Sequence, residues 1–354
     1  MNISAILISW YQKHRRSLPW RDTNDPYRVW VSEIILQQTR VNQGIDYYRR
    51  FLERFPDVGA LAKAPLDEVL KLWQGLGYYT RARNLHKAAQ QIEYDHQGQF
   101  PRSYEGLLKL PGIGEYTASA VASFCFDQPV AVVDGNVARV LSRLEGIDLP
   151  INSTRGKKEL ARLAQAIISR EDPATHNQAI MEFGSLQCTP QQPDCPNCPL
   201  KDQCVAYRNE MVHQLPVKQR NTKKRRRHFY YLDIEHQGDM FLHKRKGKDI
   251  WNSLYQFPLI ETHQPIDIPE LSRTEQWQHL FSGLTPQING VSEPYSHVLS
   301  HQKIEARFIR VKLHSTNAQL ENGYRRIDPQ ELQNVAVPRL IDKYLEEEKY
   351  PKKE

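Results

Sequence analysis

The chain has 354 residues, 40% hydrophobic and 25% charged, with 48 Lys and Arg against 41 Asp and Glu. This is ordinary globular usage in a chain long enough for two or three domains with real cores, and it excludes a wholly disordered or fibrous protein. Five cysteines are too few for a disulfide scaffold, and the longest apolar runs are too short to span a bilayer.

The first ten residues carry no positive charge ahead of their apolar stretch and no small-residue cleavage site after it, so a secretory signal is not expected and the cytoplasm is the default. Apolar positions recur with helical spacing in Val29–Gln38, Tyr47–Phe55, Leu66–Leu72, Ala82–Ile92, Tyr116–Phe124 and Val137–Leu144. Pro and Gly punctuate them at Pro56, Gly75–Gly77, Pro101, Pro111–Gly114 and Pro129. The texture then changes. His228–Glu235, Met240–Lys244, Leu254–Ile260 and Ile304–Leu313 read as strands, and a helix near Pro338–Glu348 closes the chain. The net charge of +7 equals the seven basic residues of Lys218–Arg227, an acid-free run that marks the boundary between the two textures. A solvated linker is the plain reading of that run; a phosphate contact or a nuclear address is the alternative. The expected organisation is a helical domain over residues 1–215, a linker over 216–227 and a second domain over 228–354.

Cys188, Cys195, Cys198 and Cys204 form C-x6-C-x2-C-x5-C, interleaved with Pro190, Pro193, Pro196 and Pro199. Four thiolates so close on a proline-rich loop describe one soft metal centre. Structural zinc sites pair two short knuckles, and here only Cys195 and Cys198 have that spacing, so a four-cysteine iron–sulfur cubane fits better than zinc. Cys125, alone in an apolar helix, reads as an inert buried thiol.

Leu110-Pro111-Gly112-Ile113-Gly114 lies between two helical stretches. Gly112 and Gly114 free the backbone to approach a ligand, and the N–H groups of the turn and of the next helix can cradle a phosphate. Taken alone it is equally a simple turn. Twenty residues past Gly114, Asp134-Gly135-Asn136 places Asp134 as the N-cap of a helix, where backbone N–H groups and the helix dipole favour an ionised carboxylate. Glu33 sits among Trp30, Val31, Ile34, Ile35 and Leu36. If it faces inward, desolvation raises its pKa and it can stay protonated near neutrality; if it faces outward, it is a surface Glu on an amphipathic helix.

LPGIGEYTA, then VVDGN, then the four-cysteine pattern together resemble the helix–hairpin–helix base-excision DNA glycosylases, over roughly residues 15–210. Within them, PWR at 19–21, DPYRVWVSEIILQQTRV at 25–41 and GLGYYTRARNL at 75–85 are similar to the adenine DNA glycosylases of the MutY type, which remove adenine mispaired with 8-oxoguanine. The resemblance implies a mainly α glycosylase domain with a 4Fe-4S loop at 188–204, followed by an α+β Nudix-like domain that senses 8-oxoguanine. The expected partner is double-stranded DNA containing A:8-oxoG or A:G mispairs, bound by a monomer.

The resemblance also implies residue roles. Glu33 becomes the general acid that protonates the leaving adenine, and Asp134 the anion that stabilises the oxocarbenium-like sugar. Tyr116 stands where the strand-cleaving relatives carry a Schiff-base Lys, so a lyase step is not expected. Asn136 is placed beside Asp134 to orient it or a water. Gln38, Leu36 and Tyr78 match wedge and intercalating positions, and Thr39 reaches toward the opposite base. Arg16, Trp20, Arg21 and Gln178 resemble adenine-pocket positions. In the second domain WNSLYQFPLIE at 251–261 resembles the segment before a Nudix box, but the Glu-rich metal helix that should follow is missing. Tyr295-Ser296-His297 stands where the family's lesion-reading loop carries Phe-Ser-His. Two other readings share some of these features: a bifunctional glycosylase/lyase of the endonuclease III type, and a mismatch-binding protein without turnover.

Overall fold

The computed structural model describes residues 2–219, 224–315, 320 and 323–348. The chain divides into two compact units, one of residues 1–63 and 84–220, the other of residues 64–83 and 221–354. The helices are α1 Ile3–His14, α2 Pro26–Leu36, α3 Val41–Arg54, α4 Val58–Lys63, α5 Leu66–Leu72, α6 Thr80–Asp95, α7 Tyr104–Leu107, α8 Glu115–Phe126, α9 Gly135–Glu145, α10 Thr154–Ile167, α11 Pro173–Leu186, α12 Val205–Arg208, α13 Ile268–Ser272, α14 Glu275–Leu280 and α15 Arg339–Glu347. Among the described residues no helix is long and apolar enough to cross a membrane.

In the first unit the helix starts are written in the sequence. Asp25 and Asp172 accept a backbone N–H at the starts of α2 and α11, each followed by Pro at the first helical position. α9 ends on Gly146 at φ 68, where an added Cβ would lie 2.6 Å from the Val205 side chain. Leu7, Trp10, Val137, Leu141, Leu160, Ile180 and Phe183 build one core. α2 is buried from Val29 through Ile35 and packs on α3 and α8, so a charged residue in that stretch is forced out of water.

The second unit is an eight-stranded mixed sheet with helices on both faces. Its strands are β1 Arg225–His236, β2 Asp239–Lys244, β3 Tyr255–Gln256, β4 Leu259–Thr262, β5 Pro286–Val291, β6 Tyr295–Val298, β7 Gln302–Leu313 and β8 Arg325–Ile327. The order is β3-β2-β1-β7-β5, with β4 on β1, β6 on β7 and β8 on β2. β1 and β7 run parallel, Phe229 beside Ala306 and Tyr231 beside Phe308. Alternate β1 residues face opposite sides: Phe229 and Tyr231 meet Leu340, Ile341 and Tyr344 of α15, while Tyr230, Leu232 and Ile234 meet Leu271, Trp277 and Phe281. Both faces are therefore apolar, which hides the period of two in the sequence.

Three differences from the sequence reading have physical causes. The Leu254–Ile260 strand is two short strands, because Pro258, which has no N–H, separates β3 from β4. The basic run does not stay a linker to Arg227: β1 begins at Arg225, residues 220–223 lie outside the described residues, and Arg227 is 5% exposed. Its guanidinium donates to both carboxylate oxygens of Glu261 and of Asp249, so its charge is spent inside the protein and not on a phosphate. Residues 64–83 belong with the C-terminal residues and not with the helices on either side in sequence. Lys71 Nζ donates to the Val335 carbonyl at 3.1 Å, Gln74 Nε2 to Asp342 at 3.0 Å, and Arg83 to the Asn252 carbonyl at 2.7 Å.

Candidate active site and cysteine loop

α2 carries Glu33 into the interior of the first unit, where it is 6% exposed. The Tyr116 hydroxyl, from the first turn of α8, donates to Glu33 Oε2 at 2.6 Å. Burial and the nearby Asp134 charge push the Glu33 pKa up to about 7, against the lowering effects of the Tyr116 hydrogen bond and of Arg21. Burial likewise holds Tyr116 well above the usual phenol value, so it remains a donor.

Asp134 caps α9. Its Oδ1 accepts from the backbone N–H of Asn136 at 2.8 Å and of Val137 at 2.7 Å, and its Oδ2 from Asn136 Nδ2 at 2.8 Å. The cap is as the sequence reading has it, but the electrostatics differ in one respect. Burial raises the Asp134 pKa above the usual carboxylate value, with these hydrogen bonds and Arg139 holding the rise down. The helix start opposes desolvation without overcoming it. Both carboxyls are thus pushed toward the proton, Glu33 against one donor and Asp134 against three.

Asn136 does more than touch Asp134. Its Oδ1 accepts from Arg139 Nη2 at 2.9 Å, and Arg139 Nε donates to the Cys188 carbonyl at 2.8 Å. One turn on, Arg143 donates to the carbonyls of Thr189, Pro190, Val212 and Leu215, and its Nη1 lies 3.4 Å from Cys188 Sγ. α9 therefore holds the Asp134 cap at its start and the cysteine loop along its length.

Cys188, Cys195, Cys198 and Cys204 all line one pocket, together with Arg143, Tyr207 and Val212. Among the described residues no three His, Cys, Asp or Glu side chains are arranged around a single ion. Burial and the charges of neighbouring cysteines raise Cys195, Cys198 and Cys204, Cys198 to about 11. Such thiols become thiolates only around a positive centre. All-sulfur and backed by Arg143, the donor set is of the chemical kind that iron–sulfur clusters take. Cys125 is separate from it, half-buried on α8 and pushed to about 12 by burial.

Arg16 and Arg21 gather around a residue that the sequence reading missed, one turn along α11 from Gln178. Glu182 on α11 is buried and accepts from Arg21 Nη1 and Nη2 at 2.8 Å and from Arg16 Nε at 2.9 Å. Burial raises its pKa, but the two guanidiniums outweigh burial and hold it at about 2, a permanent anion. Gln178, one turn earlier, accepts from Tyr11 Oη at 2.8 Å, and Trp20 packs edge-on against Tyr48. Glu182 lies in no motif; only its i+4 spacing from Gln178 points to it.

Leu36, the last residue of α2, packs against Gly44; just past it Gln38 is exposed at φ 60, and Thr39 Oγ1 is buried without a partner among the described residues. Gly112 holds φ 75 in the hairpin, where a Cβ would lie 2.5 Å from Asn84, and Gly114 is the open N-cap of α8.

In the second unit, Tyr78 is 56% exposed at φ 48, at the end of a Gly75–Gly77 turn of positive φ. Arg81 lies near the Tyr78 ring and donates to the carbonyls of Leu76 and Gly77. On β6, Ser296 is exposed and His297 is half-buried against Trp251. Tyr295, which stands where the lesion-reading loop carries Phe, does not face solvent: it is 9% exposed, in the core with Phe308 and Tyr344, its hydroxyl donating to Glu347. Strand alternation turns residue 295 inward where 296 turns outward.

The chain is similar to known proteins throughout. Residues 31–175 match the HhH-GPD superfamily base excision DNA repair proteins, and residues 230–347 match the NUDIX domain. An adenine DNA glycosylase of Buchnera aphidicola subsp. Baizongia pistaciae is 37% identical over 80% of this chain and 84% of its own length. That of Buchnera aphidicola subsp. Acyrthosiphon pisum is 31% identical over 97% and 96%, and that of Homo sapiens 44% identical over 59% and 40%. Among solved structures, a thermostable thymine-DNA glycosylase is 29% identical with a TM-score of 0.54, over 58% of this chain and 95% of that one. A non-covalent endonuclease III–DNA complex is 25% identical with a TM-score of 0.51, over 59% and 96%.

Proposed function

Because this chain belongs to the adenine DNA glycosylase family, we propose that it is a monofunctional base-excision repair enzyme, hydrolysing the N-glycosidic bond of adenine mispaired with 8-oxoguanine or guanine. The observation that carries this reading is Glu33: a buried carboxyl poised at about 7 beside a second, better hydrogen-bonded carboxylate. An acid near neutrality is half-protonated where the enzyme must work.

The adenine first leaves the base stack, at the cost of unstacking and unpairing. Glu33 delivers its proton to N7, the C1′–N9 bond breaks, and the bonding pair leaves with the base. Asp134, aimed by Asn136, faces the cationic sugar, and water adds at C1′ and passes a proton to the Glu33 carboxylate, which leaves an abasic site and restores the acid. Tyr116 holds Glu33 in place and provides no amine for a Schiff base. Arg16, Trp20, Arg21 and Gln178 form the rim that takes the base, with Glu182 fixing both arginines. Leu36, Gln38 and Tyr78 fill the gap it leaves, Thr39 reaches the opposite base, and Gly112 and Gly114 receive a backbone phosphate.

Cys188, Cys195, Cys198 and Cys204 would hold a 4Fe-4S cluster, which when bound supplies a structural cross-link for the 188–204 loop. Ser296 hydrogen-bonds the altered edge of 8-oxoguanine and His297 contacts the neighbouring backbone. The enzyme acts as a monomer on double-stranded DNA in the cytoplasm.

Incubation with an A:8-oxoG duplex, with separate assays for free adenine and for strand breaks before alkali, tests the reading. Adenine released from an intact strand is expected. Breaks together with a borohydride-trapped covalent adduct would favour the lyase, and tight binding with no adenine would favour a mismatch-binding protein.

A further inference from the structure

The lesion-reading strand β6 and the Tyr78 turn both belong to the second unit, and α15 touches what carries each of them. At its C-terminal end, Glu347 accepts from the Tyr295 hydroxyl, the Lys343 ammonium lies 5.3 Å from the centre of the Tyr295 ring, and Tyr344 stacks on Phe308 with ring centres 3.9 Å apart. At its N-terminal end, Asp342 accepts from Gln74 Nε2 at 3.0 Å, and the approach segment accepts at Val337 from the Tyr79 hydroxyl at 3.4 Å and at Val335 from Lys71. A nine-residue helix spans about 13 Å at 1.5 Å per residue and is stiff over that length. A second connection runs beside it: Arg83 donates to the Asn252 carbonyl, and Trp251, at φ 59, meets the His297 ring at 5.6 Å. Two elements assigned to one lesion are thus tied to each other and not merely to the core.

We propose that α15 is a brace that fixes β6 against the Tyr78 turn, through Tyr295–Glu347 at one end and Gln74–Asp342 at the other, and so sets the preference for 8-oxoguanine over guanine. β6 is the element that needs such a brace. Among the described residues it pairs with β7 alone, Ser296 is exposed, and Val298 is 57% exposed. An edge strand held from one side is free to shift by more than the reach of a hydrogen bond to a single altered base edge. With Tyr295 anchored, Ser296 has a fixed position relative to Tyr78, so insertion of the ring and contact with the lesion occur in one docking event. Glu347 and Gln74 are positioning residues and touch no DNA in this arrangement.

The proposal rests on Ser296 reading the lesion, so the test separates the two. Single-turnover adenine release is measured on A:8-oxoG and A:G duplexes for Glu347→Ala, Glu347→Gln, Gln74→Ala, the Glu347→Ala/Gln74→Ala pair and Ser296→Ala, well below the unfolding temperature. Each single Ala change at the brace is expected to lower the rate ratio about tenfold, the worth of one hydrogen bond to a charged group, by slowing the A:8-oxoG reaction alone. Glu347→Gln keeps an acceptor and stays within about twofold. The double variant falls no further than the worse single one, because either break uncouples β6 from the Tyr78 turn along α15. An unchanged ratio in both single variants, with the ratio lost in Ser296→Ala, overturns the brace and leaves lesion reading intact. An unchanged ratio in Ser296→Ala overturns the reading and the brace with it. Equal slowing on both duplexes, or additive losses, makes the contacts structural only and also overturns the proposal.

Discussion

Tyr116→Phe removes a single hydroxyl and keeps the ring, which isolates what the Glu33 hydrogen bond does. The phenol donates to the carboxylate, so it stabilises the ionised form and pulls the Glu33 pKa down against burial. Losing it therefore favours the proton. A hydrogen bond to a charged group contributes about 1.5–3 kcal/mol. At 1.36 kcal/mol per pKa unit, its removal raises the acid by about one to two units. Taking one unit, Glu33 moves from about 7 to roughly 8. Near pH 8 the protonated fraction then rises from about a tenth to about a half, fivefold relative to the acid plateau. The assay is a pH profile of single-turnover adenine release for both proteins on the same duplex. The alkaline limb should move up by about one unit whatever happens to the plateau. An alkaline limb that stays in place, or moves toward acid, would refute Glu33 as the acid held by Tyr116.

Glu33→Gln should stabilise the protein above neutrality. The folded chain keeps a proton on Glu33 up to about 7 where the unfolded chain loses it near 4.5, so stability falls as pH rises across that window, by at most roughly 3 kcal/mol. Urea unfolding at pH 5 and pH 8 checks this; equal midpoints for the variant and the parent at pH 8 would contradict the buried carboxyl. Glu182→Gln removes the anion between Arg16 and Arg21 and should cost about 3–5 kcal/mol, the usual penalty for stranding a buried charge, read in the same urea experiment; a loss under 1 kcal/mol would mean that the arginines find other partners. Arg143→Ala removes the donor to the Thr189 and Pro190 carbonyls of the loop and to the Val212 and Leu215 carbonyls beyond it and should lower the iron recovered per chain; full iron occupancy would show that the four cysteines fold the loop unaided.

How far the sequence discloses the molecule depends on how local each cause is. Asp134 caps a helix through the N–H groups two and three residues on, and that is written in four adjacent residues. Its upward pKa shift is not, because burial comes from elements far along the chain. Glu33 stands out as an acid inside an apolar run, and the surrounding pattern buries it. Glu182 has no such marker. It is one acid among the polar positions of α11, and its arginines lie 161 and 166 residues away. α1 and α11 also escape a search for periodic apolar positions: α11 packs against α1, α8 and α9 at once, which blurs the period of 3.6. The membership of residues 64–83 in the second unit rests on hydrogen bonds to Val335, Val337 and Asp342, more than 250 residues distant. The inward turn of Tyr295 is not legible, because the sequence reading places no strand at 295–298, and neither is Glu347, the partner of its hydroxyl.

The central claim is that one protonated and one ionised carboxyl act on the same extruded adenosine. The most direct measurement compares Glu33→Gln with the parent on an A:8-oxoG duplex, recording duplex binding and single-turnover adenine release in the same preparation. Binding should persist with release abolished at every pH from 5 to 9, since an amide has no proton to give. Adenine released at the parental rate by that variant would contradict the mechanism.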